Sequence, residues 1–236
     1  MSKSLSNEPL VKASGGARWR VAALALITPI GPLAVAGVRV LLPYRTTDDS
    51  RSVAAAVAAH PGAASAVLWL DLVAVLTLLV GVVVVSTVAV RAAPALGTMG
   101  AVLAVAGFGA LSMGPIPADP TVEGAVRAGL DPATTARVLD AMAAHPSAEV
   151  ATGLFVLGHI LGTVLLGAAL WRGRAVPVWA ALALIMSQPL HFVFAVITPN
   201  SALDATAWLF TAIGFAAAGA ALAQIPMPRS AASPNG

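Results

Sequence analysis

No cysteine occurs in the 236 residues, which excludes disulfides, thiolate metal sites and a cysteine nucleophile. Charge is scarce as well. Asp, Glu, Lys and Arg make up 10% of the chain, against about 25% in an ordinary soluble domain. A chain so poor in charge cannot cover a water-facing surface. With 58% hydrophobic residues and a mean hydropathy of +0.89, its expected solvent and partner is a lipid bilayer. The net charge of +3 comes without any run of Lys or Arg and without an aromatic platform among the basic residues, so nucleic acid is excluded as a partner. Also missing are a Walker motif, a G-x-S-x-G elbow, H-E-x-x-H and a dinucleotide fingerprint, and with them the commonest soluble chemistries.

What the chain does have is six apolar stretches, at 20–42, 63–88, 92–114, 148–170, 177–198 and 205–225. Each is about 20 residues long, the length that crosses a hydrocarbon core of about 30 Å. Only helices satisfy their own backbone in lipid at that length. The expected fold is an all-α, six-helix transmembrane bundle over 20–225, with tails at 1–19 and 226–236. Basic residues set the orientation. Lys3, Lys12, Arg18, Arg20, Arg91, Arg172, Arg174 and Arg229 fall on one side, with Glu8 the only acid there. Arg45, Arg51, Arg127 and Arg137 fall on the other, with Asp48, Asp49, Asp119, Glu123, Asp131, Asp140, Glu149 and Asp204. A multi-pass protein of the cell membrane with both termini cytoplasmic follows. Ala34-Val35-Ala36 before Gly37 also fits a signal-cleavage site, but the apolar run continues to Leu42 and contains Pro29 and Pro32.

Within this frame one unit occurs twice. The pattern AxAAHPxA at 56–63 returns at 141–148, placing His60-Pro61 and His145-Pro146 in register. A residue before proline is pushed out of the α region. Each His-Pro pair therefore marks a corner where a short outer amphipathic helix turns into a span. Asp131-Pro132, and Asp49 or Ser50, supply the N-cap signals for two such outer helices. The duplicated unit is span, outer helix, span, with a terminal helical hairpin after it. The corner histidines read as architecture, since neither has ligand partners at metal spacing, and no metal site is expected.

Polar residues within spans are costly and usually functional. Arg39, Asp71, His159, Gln188, His191 and Asp204 form the set. Asp71 lies about 12 Å below the outer end of its span, and a carboxylate at that depth must be paired or protonated. Arg39 is its expected partner, with His191 second. Thr28, Pro32 and Arg39 share a stripe, as do Thr152, His159 and Thr163, and Asp204, Trp208 and Thr211. Gly158 and Gly162 give a small-xxx-small pair. The inference is an outward-opening polar pocket under a lid of Trp69, Met113 and Phe194. Asp204 also fits an N-cap of the last span, and Arg39 also fits a side chain snorkelling to the headgroups.

Three functions fit. In the first, Asp71 is a general acid with His159 or His191 as partner, and Arg39, Trp69, Gln188, Asp204 and Trp208 hold a lipophilic substrate. In the second, the chain is a small carrier, served by the break TPIGP at 28–32, or a non-catalytic membrane component. In the third, His159 and His191 are axial ligands of a b-type haem. Otherwise no cofactor is expected. Size and plan resemble the small integral-membrane terpene cyclases of meroterpenoid pathways, which implies an isoprenoid substrate and acids near the membrane surface. Leu70-Asp71-Leu72 and Pro189-Leu190-His191 resemble segments of uncharacterised multi-pass membrane proteins of actinobacteria, which implies the same topology and no mechanism.

Overall fold

The computed structural model describes residues 15–112 and 118–224, and every regular element among them is helical. In order these are α1 Gly15–Ile27, α2 Ile30–Leu41, α3 Ser50–Ala59, α4 Pro61–Ala92, α5 Pro94–Ala110, α6 Ala118–Arg127, α7 Pro132–Ala143, α8 Pro146–Arg172, α9 Val178–Phe192, a π-helical turn Val193–Ile197, and α10 Ser201–Gln224. Five helical segments are long and apolar enough to cross a membrane: Val21–Leu41, Pro61–Ala92, Pro146–Arg172, Val178–Ile197 and Ser201–Gln224. The stretch expected at 92–114 forms the apolar but shorter α5, of 17 residues. Parts of both tails, and Met113 of the expected lid, lie outside the described residues.

Both His-Pro pairs stand where a short helix gives way to a long one. His60 ends α3 and precedes α4, whose first residue is Pro61; His145 is the N-cap of α8, where its Nδ1 accepts from the Ser147 N–H at 3.2 Å. Proline is well placed at a first helical position because no N–H is needed there. Asp49 caps α3 and Asp131 caps α7, each accepting two backbone N–H bonds. Among the described residues a third such helix, α6, joins α3 and α7, where the sequence pointed to two. α6 escapes a sequence reading because it follows 113–117, rich in Gly and Pro, and presents only Val122 and Val126 as an apolar face. Gly129, at φ +79°, turns the chain from α6 into α7.

Helices α3, α6 and α7 form a crown with its own small core of Ala54, Val57, Val122 and Leu139, closed from below by Ala64 of α4. Ser50 donates to Asp140 at 2.5 Å across α3 and α7. The 32 residues of α4 span about 48 Å, more than a bilayer core. Its first turns pack against the crown through Ala64, and Asp71 lies where crown meets bundle, against Asp119 of α6.

The bundle core joins Leu78, Val82, Phe108, Leu166, Leu184 and Phe215, with Trp208 at its upper edge. α5 and α8 approach most closely. A Cβ on Gly158 would fall 2.8 Å from the Gly107 Cα, and one on Gly162 would fall 2.3 Å from the Ala104 N. The small-xxx-small pair thus sets the separation of these helices. A Cβ on Gly107 would meet the His159 N at 2.2 Å, whereas one on Gly109 would meet nothing within 4 Å. Gly107→Leu is expected to cost about 3 kcal/mol by forcing backbone apart. In a detergent melting assay that is a fall of about 6–12 °C, while Gly109→Leu leaves the midpoint unchanged.

Candidate functional site

The apolar stripe arithmetic of α10 brings Asp204, Trp208 and Thr211 to one face, and all three are buried. Asp204 is the hub. One carboxylate oxygen pairs with the Arg39 Nε and the other lies 2.5 Å from the His191 Nδ1. Arg39 also donates through Nη2 to Thr46 at 2.7 Å. The capping role considered for Asp204 belongs to Asn200, whose Oδ1 accepts from the Leu203 N–H at 3.1 Å. Arg39 is likewise no mere snorkelling side chain, because it is held in a buried ion pair with its side chain 15% exposed.

Two contacts converge on one nitrogen of His191. Its Nδ1 meets Asp204 and also lies 3.1 Å from the Trp208 indole N–H. An indole N–H only donates. If Nδ1 accepts from Trp208, the proton in the short contact must sit on Asp204. If Nδ1 donates to the carboxylate, the indole loses that acceptor. In the second arrangement both Asp204 oxygens accept, one from Arg39 and one from His191.

His159 sits beneath, with its ring edge-on to His191 at 5.8 Å between centroids and stacked on Phe155 at 4.1 Å. Its Nδ1 lies 2.5 Å from the Phe155 carbonyl oxygen. A carbonyl cannot donate, so Nδ1 carries the proton and Nε2 presents a lone pair. That Nε2 is buried without a partner. Gln188 donates to Thr211 at 2.7 Å, and its Oε1 is also buried and unpartnered.

Asp71 is buried, but its partner is neither Arg39 nor His191. It is hydrogen-bonded to Asp119 of α6, and Asp119 in turn accepts from the Tyr44 hydroxyl. The Arg39 charge still reaches both carboxyls. A hydrogen bond between two carboxyl groups requires a proton, since like charges at that separation cannot both ionise. Tyr44, the single tyrosine of the chain, is held above its ordinary value of 10.0 by burial and by the neighbouring Asp119 charge, so it remains a donor. A small cleft of about 10 Å³, room for about one water, lies beside Tyr44 and Asp119 and is lined by Pro43, Val57, Val67 and Val122.

Burial raises the Asp119 carboxyl above its ordinary value of 3.8, and the bonds from Tyr44 and Asp71 only partly oppose this. The folded state therefore holds a proton that the unfolded chain has released above about pH 4. The contribution of Asp119 to stability is greatest below 3.8 and falls as pH rises, until the buried group ionises. Melting curves are expected to show this decline as pH rises from about 4 in the native chain and its loss in Asp119→Asn.

Among the residues expected at the site, Arg39, His191, Asp204 and Trp208 are in direct contact, His159 packs on His191, and Gln188 bonds Thr211. Trp69 does not join them. It is 69% exposed, because two residues along a helix is a turn of about 200° and Asp71 takes the inward direction. Thr152 is exposed too, and Phe194 is half-buried. Asp119, Tyr44, Phe108 and Phe155 are the additions. No family model matches the chain, and no curated protein or solved structure matches it either.

Proposed function

We propose that this chain is a six-span cell-membrane protein, crown outward and both termini cytoplasmic, whose Asp71–Asp119 pair protonates a lipophilic, isoprenoid-like substrate. The observation that carries the reading is the carboxyl pair itself: Asp71 and Asp119 within hydrogen-bonding reach of each other where crown meets bundle, with a small apolar-lined cleft beside Asp119. The sixth crossing is supported by chain direction. α4 runs away from the crown and α8 starts at it, so α5 must bring the chain back. Both His-Pro junctions support the duplicated unit. Within it Asp71 corresponds to Val156, so the acid belongs to one copy only.

In this reading the pair delivers a proton to an alkene carbon, leaving a cation that closes a ring or shifts a double bond. Loss of a proton from the cation completes the reaction, and the pair is reprotonated from water. His159, through its free Nε2, and the His191–Asp204 pair are the bases available to take that proton. Below them the interior is apolar, with Leu78, Leu166, Leu184 and Phe215 almost wholly buried. A site that ends blindly suits chemistry better than transport.

A carrier is the second reading, favoured by the break between α1 and α2 and by the π-helical turn after Pro189. The haem reading draws less support, since His159 and His191 meet edge to face at 62° with Phe108 and Trp208 packed against them.

Acid catalysis on carbon has a signature that does not depend on knowing the substrate. In deuterated water, isolated membranes that contain the protein and no longer synthesise lipid should gain a lipid with carbon-bound deuterium that control membranes lack. A carrier leaves no such label and instead collapses a pH gradient in proteoliposomes when its solute is present.

A further inference from the structure

The opposite end of the bundle carries charge with no counterpart. Every Asp and Glu among the described residues lies in the crown or in the half of the bundle nearest it, whereas Arg91, Arg172 and Arg174 lie at the far ends of α4 and α8. These arginines are brought together by the packing of two turns. A Cβ on Gly173 would fall 2.4 Å from the Ala92 Cβ, so the α8–α9 turn rests on the α4–α5 turn. All three arginines are exposed, and none has an ion-pair partner among the described residues.

A groove runs from Arg91 toward mid-membrane between α4 and α5, lined by Val83, Ser86, Thr87, Val90 and Val105. Its valines offer an apolar bed. Thr87 satisfies its hydroxyl on the Val83 carbonyl at 2.8 Å. Ser86 does not: its residue is 7% exposed and, among the described residues, its Oγ has no partner. A hydroxyl left unpaired at such a place is costly, so a hydrogen-bonding ligand there is favoured. Ser86 is five residues from Arg91, or about 7.5 Å along the helix.

We infer that this groove binds one anionic phospholipid, with its phosphate on Arg91, a glycerol ester carbonyl on the Ser86 hydroxyl, and an acyl chain along Val83, Val90 and Val105. The molecule has an anion at one end, a hydrogen-bond acceptor a few ångströms deeper, and hydrocarbon beyond. That order matches the arginine, the hydroxyl and the valines. Arg172 and Arg174 add positive potential at the mouth. The site is separate from the crown and does not rest on the proposed chemistry.

The test is competition between lipids on the intact protein. Protein in micelles containing equal phosphatidylglycerol and phosphatidylcholine is examined by native mass spectrometry. One retained phosphatidylglycerol, favoured about fivefold or more, is expected, since each arginine near an anionic headgroup contributes about that factor. Equal retention of the two lipids, or retention of neither, overturns the inference without any variant. Arg91→Gln should remove the preference, Ser86→Leu should fill the groove and remove the lipid itself, and Arg137→Gln at the crown should change nothing. Preference surviving in both folded groove variants also overturns it.

Discussion

Asp204→Ala is expected to destabilise the protein by about 3–5 kcal/mol, a fall of about 6–20 °C in melting midpoint. The loss is large because Asp204 is fully buried and answers two groups at once. Without it, Arg39 keeps a buried charge and His191 loses the acceptor for its Nδ1–H. The cost is that of stranded partners more than of a missing attraction, and this has a signature. Replacing Arg39 and Asp204 together by leucine is expected to recover most of the stability lost in the single variant, because no buried charge is left unanswered. Melting of the two variants in one detergent decides it. A single variant within about 2 °C of the native protein, or a double variant no better than the single, would mean that the hub holds nothing together.

Asp71→Asn and Asp119→Asn are expected each to lower formation of the deuterium-labelled lipid by about 10²–10⁴-fold, the worth of a positioned general acid. Both variants should still fold. Asparagine keeps the shape and hydrogen-bonding capacity of the neutral carboxyl, and Asp119→Asn removes a group whose ionisation the fold resists. Trp69→Ala serves as the control, since that side chain faces away from the site and its removal should leave labelling intact. Variants that fold and label normally would return the pair to a structural role.

The long helices were legible in the sequence because apolar length is a property of each segment alone. The His-Pro corners were legible for the same reason, since proline restricts its own neighbourhood whatever the tertiary setting. The convergence of Asp204, Trp208 and Thr211 followed from helical spacing. The partner of Asp71 was not legible. Asp119 lies beyond a Gly- and Pro-rich segment, on a short helix with two apolar positions, and nothing local signals that its carboxyl turns inward. Hydropathy also cannot tell a lid from an outward-facing side chain, so Trp69 reads as part of the pocket although, of the two, only Asp71 is buried. The role of Asp204 was ambiguous because acids in a first helical turn usually cap, and here Asn200 had already done so.

The measurement that bears most directly on the proposed acid is infrared spectroscopy of the carboxyl groups near neutral pH. The native protein is expected to show the carbonyl stretch of a protonated carboxyl, shifting in deuterated water and missing from both Asp71→Asn and Asp119→Asn. A native spectrum without that band, or a band that survives in both variants, would contradict the claim that these two side chains hold a proton between them.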